Sequence, residues 1–103
     1  MDKWLTVPKN EKGKEEYNYG TDNSDNLYTT IIPPEEYSIL WKNGVFDTIN
    51  ENCGLGIDDY ESEIIPAEQI EEAIKYVSDS LYPTLFEALQ KAKQYGSFMA
   101  LDF

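Results

Sequence analysis

The stretch IDDYESEIIPAEQIEEA, residues 57–73, carries Asp58, Asp59, Glu61, Glu63, Glu68, Glu71 and Glu72 without a single Lys or Arg. A carboxylate is buried at heavy cost unless it is paired and hydrogen-bonded, so these side chains must face water or a partner. Ile57, Tyr60, Ile64, Ile65, Ile70 and Ala73 interleave with them. The run is therefore expected to be folded onto a core, with its acids outward, rather than to trail as a loose acidic tail. A carboxylate face on an apolar footing is a surface that can meet positive charge.

The rest of the chain sharpens this polarity. Twenty acidic residues stand against eight basic ones, all of them Lys, for a net charge of −12. Such a protein repels phosphate backbones and anionic lipid surfaces, which argues against direct binding of nucleic acid or membrane. Solubility alone would account for a high charge but not for its clustering. Residues 35–72 hold eleven acids and one base, Lys42, whereas Lys3, Lys9, Lys12 and Lys14 crowd the amino end.

Length, at 103 residues, fits one domain. Hydrophobic residues at 41% and aromatic ones at 14% suffice for a core without metal or disulfide support. The single cysteine, Cys53, makes no intramolecular disulfide and suits a reducing compartment. No apolar run reaches signal-peptide or membrane-span length, so a soluble cytoplasmic protein is expected.

Taken in order, residues 4–7 read as a short strand that Pro8 ends or places at a sheet edge. Lys12-Gly13 predicts a hairpin whose return strand is 15–19, with a mobile loop over 9–26 as the alternative. Residues 20–26 read as a second turn. LYTTII, residues 27–32, is β-branched and aromatic throughout, hence a strand. Pro34 opens a helix with Glu35 and Glu36 in its first turn and Tyr37, Leu40 and Trp41 on its buried stripe. A second short helix spans 45–52, with Val45, Phe46 and Ile49 inward and Gly54 as its cap. Part of 57–65 is extended.

An amphipathic helix is expected over 66–80, its apolar stripe being Ile70, Ala73, Ile74, Val77 and Leu81. Pro83 opens another, ended by Gly96. SFMALDF closes the chain as an interior strand. Periodicity assigns Trp4, Trp41, Phe46, Phe86, Phe98 and Phe103 to the core, and puts Tyr82 among less buried tyrosines. The fold class is α+β: a small, mainly antiparallel sheet packed by about four helices, in a single domain over 1–103.

Little catalytic chemistry is available. Without His, acid–base work near neutral pH would need a perturbed carboxylate, Lys or Tyr. Without Arg, the bidentate clamp for phosphate is missing. Gly54 and Gly56 form a lone G-x-G with no following lysine, and Cys53 has no histidine to activate it. Asp58, Asp59, Glu61 and Glu63 lack the ligand spacing of a helix–loop–helix calcium site. No catalytic residue, metal or cofactor is expected. Tyr60, between Asp59 and Glu61, has the profile of an interface anchor, with a half-buried structural tyrosine as the equal alternative.

The pattern WKNGVFDTIN (41–50) followed by IDDYE (57–61) resembles small acidic immunity proteins encoded beside bacterial polymorphic or contact-dependent toxins. The resemblance spans 37–77 and the closing strand. It implies a one-to-one inhibitor that neutralises a toxin domain in the producing cell's cytoplasm. Read from the residues, the contact set is Asp58, Asp59, Tyr60, Glu61 and Glu63, extended by Glu68, Glu71 and Glu72. The partner is a basic protein, such as a nuclease toxin with a positive cleft. The alternative is a nucleic-acid-mimicking decoy, or an adaptor for another basic protein. A third class, a small enzyme, would need a deep pocket lined by carboxylates with raised pKa values.

Overall fold

The computed structural model describes residues 1–20 and 24–103. Four strands, β1 (Trp4–Pro8), β2 (Leu27–Ile31), β3 (Ser62–Ile65) and β4 (Met99–Asp102), form one antiparallel sheet in the order β2-β1-β4-β3. The first and last strands of the chain thus lie side by side at its centre. Leu5 stands opposite both Leu101 and Thr30, and Ile65 opposite Met99. Strand alternation then puts Leu5, Val7, Leu101, Met99 and Ile65 on one face, where all five are fully buried.

Helix α5 (Pro83–Tyr95) packs on the sheet, and α2 (Pro34–Lys42), α3 (Val45–Cys53) and α4 (Ile70–Ile74) close the same core, the four together supplying Leu40, Phe46, Ile49, Ile70, Leu85 and Leu89. Pro34 and Pro83 sit at the first helical position, as expected. Gly54 and Gly96 cap α3 and α5 at φ 66° and 60°, the left-handed region that glycine enters without strain. The protein is an α+β domain, in agreement with the sequence. Among the described residues, no helix is long and apolar enough to cross a membrane.

The sheet's second face is covered by a helix where a hairpin or mobile loop was expected. Helix α1 (Glu11–Asn18) occupies the Lys12-Gly13 region. Asn10 caps it by accepting the Gly13 N–H at 2.8 Å, and donates through Nδ2 to Asn26 Oδ1 at 2.9 Å. A Cβ on Gly13 would stand 2.2 Å from the Asn26 carbonyl oxygen, so the glycine serves close approach of helix and loop, not a turn. Tyr17 packs edge-on against Phe98 at 5.7 Å and donates to Asp102 at 3.4 Å. Of the turn expected over 20–26, residues 21–23 lie outside the described residues. Beyond α1 this face is open, and Trp4, assigned to the core by periodicity, is 42% exposed beside Ile31.

The helix expected over 66–80 is shorter. A 3-10 turn, Ala67–Gln69, leads into α4, and the N–H groups of Lys75, Tyr76 and Val77 each bond three residues back instead of four. That tightening rotates the following residues out of α-helical phase. Ile70, Ala73 and Val77 stay buried, Ile74 is half-buried, and Leu81 is 55% exposed instead of completing the stripe.

One contact sets the start of α5. Its cap residue Tyr82 offers no side-chain cap, and the carboxylate of Glu36 on α2 takes that role from a distance. Glu36 Oε1 accepts the Thr84 N–H at 3.1 Å and Oε2 the Leu85 N–H at 2.9 Å, with Glu36 only 6% exposed. Two of the amide groups left orphaned by the helix start are thereby satisfied. Tyr82, expected to be less buried, is enclosed instead, because Asn43 Nδ2 donates to its hydroxyl at 2.8 Å and so answers its one polar group. Replacing Glu36 by Ala leaves one buried and one part-buried N–H donor unanswered and should lower unfolding stability by about 1–3 kcal/mol in urea titration. A loss under about 0.5 kcal/mol would show that α5 does not depend on this cap.

Candidate functional site

The acidic run is divided by β3, an edge strand of the sheet that lies within it. Before β3 lies the 57–61 turn, and after it the 3-10 turn and α4. The two acid groups are separated along the sheet edge by a four-residue strand, about 13 Å. Three of the eight expected contact residues are committed to the protein's own structure, and five face outward.

Asp59 is the first of the committed residues. Its Oδ1 accepts hydrogen bonds from Lys3 Nζ, at 3.2 Å, and from the Tyr37 hydroxyl. Lys3 Nζ in turn lies 4.9 Å from the centre of the Tyr37 ring and 6.0 Å from that of Phe103. A carboxylate, a cation and two aromatic rings thus join the amino end, α2 and the acidic turn. The Tyr37 bond, followed by Lys3, holds the Asp59 carboxyl below its ordinary value, while burial and the Asp59 contact push Tyr37 well up.

Glu63 and Glu72 are engaged as well. Glu63 Oε2 accepts the Gly56 N–H at 2.9 Å, and Oε1 the Ile64 N–H at 3.0 Å. The same carboxylate thereby anchors the preceding loop and blunts an edge-strand donor that could template pairing with another chain. Glu72 accepts from the Tyr76 hydroxyl at 2.5 Å and from Lys75 Nζ at 3.0 Å, and both contacts lower its pKa.

Asp58, Tyr60, Glu61, Glu68 and Glu71 remain on the surface. Asp58 Oδ1 accepts the Tyr60 N–H at 3.0 Å, a local turn that fixes the backbone and leaves Oδ2 open. The Tyr60 ring is 86% exposed, so the structural alternative of a half-buried tyrosine does not describe it. The ring borders a groove of about 600 Å³ whose other walls are Tyr37, Ser38, Trp41, Asp58 and Asp59. Helical periodicity assigns Tyr37 and Trp41 to the buried stripe of α2, whereas the structure makes both walls of this groove. Their four-residue spacing on α2 was the available signal, since it puts both on one helix face with Ser38 beside them.

Trp41 and Tyr37 form an aromatic cluster with Phe46 and Phe103, with ring centres 4.9–6.4 Å apart. The Trp41 indole N–H is buried, makes no well-formed hydrogen bond among the described residues, and lies near enough to the Tyr37 hydroxyl to offset part of that group's upward shift. Cys53, at the end of α3, is buried, and burial followed by the nearby Glu72 charge pushes its thiol up, away from the thiolate a nucleophile needs. Two further outward acids, Asp47 and Glu51, share one side of α3, which packs on α4. They fell outside the expected contact set because they are separated from it in sequence.

The Asp59 clasp has a signed pH dependence. A carboxyl held below its ordinary 3.8 adds stability that is fully present above that value and is lost as pH falls through its lower folded-state pKa. Asp59→Asn should therefore be less stable than the parent near neutral pH, the difference narrowing on acidification below about pH 4. A stability difference that stays constant down to about pH 2 would mean that the clasp does not depend on the Asp59 charge.

No family model matches the chain, and no curated protein matches it. Among solved structures, its fold is similar to that of the Neisseria DNA mimic protein DMP12. The TM-score is 0.62 at 14% sequence identity, with 100% of each chain covered. At that identity the likeness is one of fold, and it extends over the whole domain.

Proposed function

We propose that this protein is an acidic decoy that docks onto a basic, DNA-binding protein in the place of nucleic acid. The observation that carries the reading is the division of labour among the acids. Asp59 and Glu72 are engaged by the protein's own Lys and Tyr side chains and Glu63 by two backbone N–H groups, while the neighbouring Asp58, Glu61, Glu68 and Glu71 are presented to solvent. A DNA-binding protein holds phosphates with Lys and Arg side chains that set its register on the duplex. A rigid array of carboxylates can engage the same side chains with little ordering cost on binding. The net charge of −12 adds long-range attraction that speeds encounter at low salt.

The whole-domain likeness to a protein described as a DNA mimic supports this reading over toxin immunity. Immunity proteins, which the 41–61 pattern resembles, would use the same acidic edge on a basic toxin cleft, so charge does not separate the two. The target does. In either case the protein acts by occupying a surface and breaks no bonds itself, and its place of action is the compartment that holds the partner.

The direct assay follows fluorescence anisotropy of a labelled duplex bound to a small, basic DNA-binding protein. Added protein should release the DNA, less effectively as salt rises, because the attraction is screened over about 8–10 Å at physiological ionic strength. The Asp58→Asn, Glu61→Gln, Glu68→Gln, Glu71→Gln variant should need on the order of tenfold more protein for the same release. Release that is unchanged in this variant would remove the acidic edge from the interface. Stoichiometric inhibition of a toxin nuclease domain, with no release of DNA from DNA-binding proteins, would favour the immunity reading instead.

A further inference from the structure

We infer that the groove between α2 and the 58–60 turn seats one arginine side chain of the basic partner, an assignment that rests on the decoy reading above. The groove combines three features that an arginine uses together. Its walls include Tyr37, Trp41 and Tyr60, aromatic residues of the kind on which a planar cation stacks. Asp58 stands at its rim with one carboxylate oxygen engaged by the Tyr60 N–H and the other open to a guanidinium. Tyr60 projects almost wholly into solvent, a position in which a large ring gains area only when something covers it.

The protein already carries the same chemistry at the inner end. Lys3 Nζ, on Asp59 and over the Tyr37 ring, is a cation held by one carboxylate and an aromatic face. That seat is filled from within, whereas the neighbouring one built from Asp58, Trp41 and Tyr60 has no cation among the described residues. Nor can the chain fill it with a guanidinium, since all eight of its basic residues are lysines. Arg, Tyr and Trp are the residues that most often dominate the energy of protein interfaces. Arginine suits this groove better than lysine because its flat guanidinium is more weakly hydrated and stacks on rings while pairing with a carboxylate.

Hexa-arginine and hexa-lysine carry equal charge and separate the groove from the general pull of the acidic surface. In a Trp4→Phe background the buried Trp41 indole N–H gives a single NMR reporter beside the groove. Hexa-arginine should move that signal and bind roughly threefold to tenfold more tightly than hexa-lysine. Tyr60→Ala, at an exposed position, should abolish the preference and raise the amount of protein needed for DNA release, while the fold, read from the dispersion of the NMR spectrum, is unchanged. Asp58→Asn should reduce the preference as well.

Equal affinity for the two peptides in the parent, or a preference that survives Tyr60→Ala, would overturn the arginine seat. If DNA release persists in those cases, the decoy reading stands without it. If neither peptide binds and no DNA is released at low salt, both fall together.

Discussion

The fold depends on a carboxylate that a strongly acidic protein would be expected to keep in water. Glu36 is buried against the first turn of α5, answering the N–H groups of Thr84 and Leu85. It tolerates burial because the amino end of a helix is rich in unpaired donors and carries partial positive charge. The helix it starts is the one that packs on β1, β2, β4 and α4. Asn43, at the other end of α2, holds Tyr82 just before α5 begins. Two polar contacts therefore fix how α5 meets α2 and, through α5, the sheet that supports the acidic edge.

Excess negative charge imposes a second constraint, because repulsion opposes compaction. The structure meets it by giving some acids local partners. Asp59 has Lys3 and Tyr37, Glu72 has Lys75 and Tyr76, and Glu16 accepts from Ser24 and Asn26. These contacts do not neutralise the surface, since among the described residues the ion pairs involve Lys3, Lys14 and Lys75. The Asp59 contacts tie the 58–60 turn to Lys3 and to α2, and the Glu72 contacts lie within one turn of chain at the end of α4, beside the outward Asp58, Tyr60, Glu61, Glu68 and Glu71. Structure and display are divided between adjacent residues, Asp59 inward and Asp58 outward.

Much of this was legible in the chain. Pro34 and Pro83 marked helix starts, Gly54 and Gly96 marked helix ends, and the β-branched and apolar runs at 27–32 and 98–103 marked two strands. What escaped the reading has physical reasons. Helix α1 has almost no apolar stripe beyond Tyr17, and its glycine looked like a turn until the Asn26 carbonyl was found where a Cβ would stand. The end of α4 depends on a switch in hydrogen-bond spacing after Ile74 that leaves no mark in hydrophobic period. The Glu36 cap joins residues 48 and 49 positions apart, beyond any local pattern. The acidic run was plain from composition, but the division into inward and outward acids required geometry. So did the groove, whose Tyr37 and Trp41 look like ordinary core residues in a helical period.

The account's central claim is that the outward acids stand where phosphates would otherwise bind. A structure of the complex with a basic DNA-binding partner tests it most directly. The account predicts that Asp58, Glu61, Glu68 and Glu71 lie within about 4 Å of the partner's DNA-holding Lys and Arg side chains, where charge pairing is effective. A complex formed instead through the open sheet face around Trp4, Ile31 and Ile64, with those four carboxylates left in solvent, would contradict it.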